Sequence, residues 1–210
     1  MKEFIDKYYK YIRPYRFLYG WAKDFHSKAK CSTRAKEWEA KGFKNAKLDI
    51  CGGRNPYNPE EFLNVDIVNF PNVDLVFNIT KKFPINDGII EEIISVATLE
   101  HLRPVHVSHV INEFYRVLKP NGRVRISTPD IEAIAKGIIE KDDFDIILQH
   151  LFGKYKSNAT EDLDLHKSMF PSEMMIEMLE KAGFKNAKRI PMNLDLHDER
   201  YNYLIEAWKE

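Results

Sequence analysis

Two adjacent glycines and a carboxylate carry the first chemical signal in this 210-residue chain. Gly52 and Gly53 follow a short apolar stretch, Leu48–Ile50, within Lys-Leu-Asp-Ile-Cys-Gly-Gly-Arg-Asn-Pro (47–56). Neither glycine carries a Cβ, so the backbone can turn tightly there and come close to a ligand. In an open α/β sheet such a turn lies at the carboxyl end of a strand, where these folds bind ligands. An ordinary strand-ending turn would look the same in isolation. Asp66 stands 13 residues past Gly53, at the end of the next apolar stretch. Seven histidines supply groups able to move a proton near neutral pH. His106 and His109 fall on the polar side of a helical pattern and are expected to be solvated.

Composition bounds the rest. The chain is 44% hydrophobic and 30% charged with a formal net charge of +0, ordinary for one globular domain with room for a small appendage. The charge is uneven. Residues 1–36 hold ten Lys/Arg against three Asp/Glu, a local +7 that leaves −7 for the remainder. The two cysteines, Cys31 and Cys51, have no metal-ligand spacing. They argue against a disulfide scaffold or a zinc site, so no metal is expected, and they fit a reducing compartment. No apolar run approaches the roughly 18 residues of a membrane span. A cytoplasmic protein is the expectation.

The elements that must position these residues follow from periodicity. Residues 1–25 are rich in aromatics, among them Tyr8, Tyr15, Trp21 and Phe25, with Pro14 and Gly20 as interruptions. Two short helices joined by a bend are expected there. They would form a helical flap over the domain rather than a membrane-surface helix or an RNA-contacting arm, because the aromatics surround the helix instead of forming one stripe. Ser32 or Thr33 is expected to cap a further helix ended by Gly42. Strands are expected at 46–50, 63–68, 73–77 and 92–97. The link from Gly53 to the second strand has room for one turn only.

Pro104 opens a helix with Val107, Val110, Ile111, Phe114, Val117 and Leu118 on one face. Lys119–Gly122 reads as a turn before a strand at 123–127, whose Arg123 and Arg125 should leave one face wet. Asp130 caps a helix and another runs over 142–152. Residues 153–170, with Tyr155, Asn158 and His166, read as an irregular loop. A helix over 172–182 should bury Met174, Met175, Met178 and Leu179. Strands at 187–192 and 201–208 are too closely linked for a crossover, so they should form an antiparallel hairpin. The hexapeptide Gly-Phe-Lys-Asn-Ala-Lys occurs at 42–47 and 183–188. It marks two places where a glycine closes a helix, Phe turns inward and a strand begins.

Alternating strands and helices imply a mostly parallel sheet covered on both faces. Together with Leu-Asp-Ile-Cys-Gly-Gly-Arg-Asn-Pro (48–56), Asn-Val-Asp-Ile (64–67), Asp-Leu-Val-Phe-Asn-Ile (74–79), Leu-Glu-His-Leu (99–102) and the run from Tyr115 to Asp130, the chain resembles a class I S-adenosylmethionine-dependent methyltransferase of the type 11-like branch. The resemblance covers about residues 46–210. It implies an α/β, Rossmann-like methyltransferase fold with a seven-stranded sheet and a C-terminal antiparallel hairpin. Residues 1–42 would be the helical flap or cap and 43–210 the methyltransferase domain.

The cofactor implied is S-adenosyl-L-methionine, and the resemblance assigns its binding to Asp49, Cys51, Gly52, Gly53, Asn55, Asp66, Ile67, Asn78, Ile79, Ser95, Val96 and Ala97. Gly52 and Gly53 would lie against its methionine end, Asp66 would accept both ribose hydroxyls, Asn78 and Ile79 would flank adenine, and Ser95–Ala97 would line the methionine moiety and the acceptor's approach. His101 would hydrogen-bond near the cofactor edge. His166, in the loop facing the acceptor, is the candidate general base. The chain departs from the family at Cys51 and Asn55, where glycine is common, and at Asn78, where aspartate is. Cys51 is small enough to be tolerated.

The acceptor expected is a small or sugar-containing molecule, with RNA as the alternative suggested by the +7 segment. A non-catalytic S-adenosylmethionine-binding module is a further alternative. A nicotinamide-dependent oxidoreductase would want Gly-x-Gly-x-x-Gly opening a full helix and an acid roughly 20 residues on, and this chain has neither. The sequence says nothing of oligomeric state.

Overall fold

The computed structural model of the chain describes residues 2–154, 161–194 and 199–210. Seven strands form one sheet: β1 (Lys47–Ile50), β2 (Phe62–Asp66), β3 (Leu75–Val76), β4 (Ile90–Val96), β5 (Leu118–Pro129), β6 (Lys185–Ile190) and β7 (Asn202–Trp208). Their order is β3-β2-β1-β4-β5-β7-β6. β1 to β5 run parallel, and β7 is antiparallel to both neighbours. The fold is therefore the Rossmann-like methyltransferase architecture with its terminal antiparallel hairpin. No described helix is long and apolar enough to cross a membrane.

The core sits where the apolar periodicity puts it. Leu48 and Ile50 of β1, Ile93 of β4 and Val124 and Ile126 of β5 are fully buried. Against them lies α2 (Pro104–Val117), with Val107, Val110, Ile111, Phe114 and Val117 all buried. Asp130 caps α3 (Ile131–Glu140), accepting from the Glu132 and Ala133 amides, and Asp143 likewise caps α4 (Phe144–Phe152). A four-residue turn of helix, α5 (Glu161–Asp164), precedes α6 (Ser172–Lys181). Of the expected loop, Tyr155 and Asn158 lie outside the described residues, as does the middle of the 193–200 link.

Both copies of Gly-Phe-Lys-Asn-Ala-Lys do what the sequence suggested. Gly42 and Gly183 have φ of +60° and +107°, and Asn45 and Asn186 take +61° and +55°. Each copy thus places its glycine and its asparagine in the left-handed region, which these residue types tolerate best, and in the first copy Phe43 joins them at +55°. Phe184 is fully buried and Phe43 half-buried.

Several expectations are corrected. The N-terminal region is one helix, α1 (Lys2–Ala40), 39 residues long and continuous through Pro14 and Gly20. A proline removes one ladder hydrogen bond and a glycine costs about 1 kcal/mol, and a helix of this length outweighs both. Thr33 caps nothing. Its hydroxyl donates to the Ala29 carbonyl at 3.0 Å, inside the helix. The edge strand β3 keeps only two residues of the five expected. Lys119–Gly122 belongs to β5 as a bulge: Leu118 pairs with Ile90 and Arg123 with Glu92.

Arg125 is not wet. It is 6% exposed, its Nε donates to Glu92 Oε1 at 2.8 Å, and Arg123 Nη2 reaches the same oxygen at 2.8 Å. The Tyr57 ring, 5.1 Å from the Arg125 guanidinium, lies over it on that face. Met174 is 48% exposed although Met175 and Leu179 are buried. His106 and His109 are half-buried, and no hydrogen-bond partner lies near His109 Nε2, which is shut off from water.

The C-terminal half of α1 is pinned to the sheet by one ion pair. Arg34 Nε donates to Asp74 Oδ1 at 2.8 Å, Nη2 pairs with Oδ2, and Nη2 also reaches the Phe62 carbonyl at 3.1 Å. Asp74 in turn accepts the Asn64 amide at 2.8 Å. This guanidinium ties the helix to β2 and to the segment leading into β3. Arg34→Ala would leave a buried carboxylate without its cation, which costs about 3 kcal/mol or more. A corresponding drop in the urea midpoint is expected, with no measurable shift for Lys30→Ala, whose partner Glu60 is exposed.

Candidate functional site

β1 and β2 end side by side, Ile50 opposite Val65, and the loop after β1 folds back over them. The Cys51 amide donates to the Val65 carbonyl at 2.7 Å, and Cys51 and Gly53 both sit in the left-handed region, at φ +60° and +56°. Gly52 is fixed by space: a Cβ there would lie 2.1 Å from Asp49 Oδ2 and 2.8 Å from Asn64 Oδ1. Gly53 faces Asp66, whose Oδ2 would be 3.9 Å from an added Cβ. The glycine pair and the Asp66 carboxylate therefore converge on one spot. Asn64 holds the loop there, donating from Nδ2 to the Gly53 and Asn72 carbonyls at 2.9 Å each. Asn55 closes the turn, its amide donating to the Gly52 carbonyl at 3.2 Å.

Carboxylates dominate the electrostatics. Burial raises Asp49 to about 7 against the pull of the Tyr57 amide at 2.7 Å, and the nearby Asp66 charge adds to the rise. Burial raises Asp66 too, opposed by the Val68 amide at 2.8 Å and by the Gly53 and Ile67 amides. Glu100 lies in a single 3-10 turn, Leu99–His101, directly after β4. It is 1% exposed, its oxygens make no well-formed hydrogen bond among the described residues, and burial lifts it to about 7 against the pull of its own amide and the nearby Thr128 hydroxyl. None of the three forms an ion pair with a described residue.

The other residues singled out in the sequence lie along the same edge of the sheet. Ile67 is 46% exposed beside Asp66. Asn78 turns its Oδ1 back to the Thr80 amide and hydroxyl, at 2.9 and 2.8 Å, so its NH2 is the group with hydrogen-bonding capacity to spare. Ile79 packs into the core at 5% exposure. Ser95, opposite Ile50, is fully buried with an unpartnered hydroxyl. Val96 is half-buried, and Ala97 turns the chain at φ +49°.

Beyond Ala97 a cavity of about 310 Å³ opens, lined among others by Glu100, His101, Lys154, Asp164 and His166. His101 Nδ1 lies 3.2 Å from the Leu165 carbonyl and His166 Nδ1 2.8 Å from the His150 carbonyl. A carbonyl only accepts, so each Nδ1 is a donor. The two rings meet edge to face, 4.8 Å apart. Burial pushes His101 down to about 4, helped by the neighbouring His166. Sequence reasoning placed His101 and His166 on this edge and missed Glu100, Asn64 and His150. Leu-Glu-His-Leu held the signal for Glu100, an acid inside an apolar run.

These observations fit a cationic nucleoside ligand. A Cβ at Gly52 would collide with Asp49 and Asn64, and among the described residues Ser95 Oγ lacks a partner and the buried carboxylates stand without cations. The linkage is testable. Asp49 holds its proton more tightly folded than unfolded, so the stability it contributes is full below its ordinary value of 3.8 and is lost as pH rises through about 7. Urea unfolding between pH 5 and 8.5 is expected to show that loss, on the order of a few kcal/mol at most, and Asp49→Asn to flatten it.

Comparison with known proteins agrees with the geometry. The chain is similar to the solved structure of an S-adenosylmethionine-dependent methyltransferase from Methanosarcina mazei, at 17% identity and a TM-score of 0.55 over 79% of this chain and 92% of that one. It is similar to one from Thermotoga maritima described as a possible histamine N-methyltransferase, at 14% identity and TM-score 0.54 over 93% and 97%. A third, from Archaeoglobus fulgidus, gives 18% identity and TM-score 0.52 over 93% and 100%. At these identities the likeness is one of fold. No curated protein matches. A family model described as a methyltransferase domain matches residues 29–189, more than half of the chain. The chain therefore belongs to the methyltransferase domain family, and its fold is the one these S-adenosylmethionine-dependent methyltransferases share.

Proposed function

We propose that the chain methylates a small molecule, sugar-containing acceptors included, held in the cavity beyond Ala97. The observation that carries this is adjacency. The cavity begins at Ala97, the residue after β4, and β4 pairs directly with β1, whose end carries the glycine loop. When bound, S-adenosylmethionine supplies an electrophilic methyl group for in-line displacement. The chain's own work is alignment and exclusion of water.

In this reading Gly52 and Gly53, with Asp49, Cys51 and Asn55, hold the methionine end, and Asp66 accepts the ribose hydroxyls. Ile67, Asn78 and Ile79 flank adenine, Asn78 through its NH2. Ser95, Val96 and Ala97 separate the two ligands. His166 serves the acceptor side. Residues 1–42 form the cap and 43–210 the catalytic domain. The stacked, exposed Trp21 and Phe25, 5.8 Å apart, are the cap's apolar surface.

Two experiments test it. Calorimetry with S-adenosylmethionine and its demethylated product should show that Asp66→Ala weakens both about tenfold or more, the scale of a lost hydrogen bond to a charged group. Unchanged binding would place the ribose elsewhere. Deletion of residues 1–25 should leave cofactor binding intact and abolish turnover on a small-molecule acceptor panel. Survival of turnover would remove the cap from the mechanism. An RNA acceptor would instead reveal itself by affinity falling steeply with salt, driven by the +7 charge of residues 1–36.

A further inference from the structure

Glu100, His101 and His166 come together from two separate segments. One donor atom from each lies within 4.8 Å of the other two. The set is one carboxylate and two imidazoles, the composition that binds zinc in hydrolases and iron in oxygenases while leaving coordination positions open.

Three observations separate it from a chance cluster. Glu100 is 1% exposed, and its oxygens make no well-formed hydrogen bond among the described residues, with the Thr128 hydroxyl and its own amide as the polar groups beside it, an expensive arrangement for a carboxylate that serves only packing. It lines the same cavity as both histidines. Both histidines also hold Nδ1 on a backbone carbonyl, Leu165 for His101 and His150 for His166. That contact protonates Nδ1 and leaves the lone pair on Nε2, the tautomer and support that metal-ligating histidines use.

The backbone is built to keep the segments in register. The Glu100 carbonyl accepts the Lys167 and Ser168 amides at 2.7 and 3.1 Å, and Ser168 Oγ donates to the Leu99 and Leu102 carbonyls at 3.1 and 3.0 Å. Gly153 gives the loop its clearance: a Cβ there would lie 2.2 Å from the Asp164 carbonyl and 3.1 Å from the His166 ring.

We propose that Glu100, His101 and His166 bind one divalent transition-metal ion, of the zinc or manganese type, with an open coordination position facing the acceptor cavity. Ligand atoms around such an ion stand about 2.0–2.2 Å from it, so the three donors must draw in by roughly an ångström on binding. The cysteine spacing gave no hint of this, because the ligands are not cysteines and His166 lies far along the chain from the Glu100–His101 pair. The ion would hold an acceptor oxygen and favour its deprotonated form. His166 then acts as a ligand and not as the base itself, and the acceptor's proton leaves to solvent. This last link rests on the methyl-transfer reading; the metal site does not.

The test is direct. Full-length protein stripped with chelator is titrated calorimetrically with Zn2+ and, separately, with Mn2+, and Co2+ is followed by its visible spectrum. One ion per chain is expected, with affinity falling about tenfold or more in Glu100→Gln and in His166→Ala. Circular dichroism confirms folding, and His166→Ala, at a half-buried position, keeps the test usable should Glu100→Gln unfold. Absence of stoichiometric binding of all three ions, or binding unchanged in every folded variant, would overturn the site. Methyl transfer that persists in chelator would separate the ion from catalysis while leaving the methyltransferase reading intact. Loss of S-adenosylmethionine binding by the wild-type chain would defeat that reading without touching the ion.

Discussion

Burying Asp49 and Asp66 at the ends of adjacent parallel strands costs free energy that the protein's own contacts do not recover. Each carboxylate is 7% exposed or less, each accepts a backbone amide, and neither has a cation among the described residues. Elsewhere this chain treats buried acids differently. Asp74 is locked by Arg34, Glu92 by Arg123 and Arg125, and Glu113 by Arg116. Structural acids are thus paired, and the acids at the carboxyl edge of β1, β2 and β4 are not. That contrast within one molecule supports the proposal that the unpaired set serves a ligand: a site that receives positive charge has to be left negative.

The same constraint explains the backbone around the site. Asp49 could not turn its carboxylate toward the Tyr57 amide if residue 52 carried a Cβ, and Asn64 could not hold the Gly53 carbonyl if the loop stood further out. The link from β1 to β2 is too short for a helix, so its order comes from side chains bonded to backbone: Asp49 to Tyr57, Asn64 to Gly53 and Asn72. At the other end of the site, the turn after β4 and the segment at 165–168 are bonded backbone to backbone. The glycine-loop end therefore depends on polar side chains, and the cavity end on a clamp between two loops.

What could be read from the sequence follows from range. β1, β4, α2 and the terminal hairpin show local periodicity or short links, and each forms as expected. Gly52, Gly53 and Asp66 were legible because a strand end and a turn are local features. Arg125 was misread because alternation alone cannot report that Glu92 of β4 and the Tyr57 ring meet its guanidinium. The continuity of α1 was misread because proline and glycine rules weigh single residues against a helix whose length outvotes them. Glu100 and His166 are 66 residues apart, and nothing local says they share a cavity.

Cys51 shows how closely loop and ligand are tied. A non-glycine residue in the left-handed region costs on the order of 1 kcal/mol or more, and this one holds φ +60° immediately before the glycine pair. Its thiol, pushed far above the ordinary range by burial and by the neighbouring Asp66 and Asp49 charges, stays protonated. It therefore adds no negative charge to an edge that already carries buried carboxylates, and it packs against the main core. A small apolar group can stand in for glycine here because the strain is local and the packing returns part of it. Asp49 and Asp66 have no such latitude in the proposed reading, where the carboxylates themselves face the ligand.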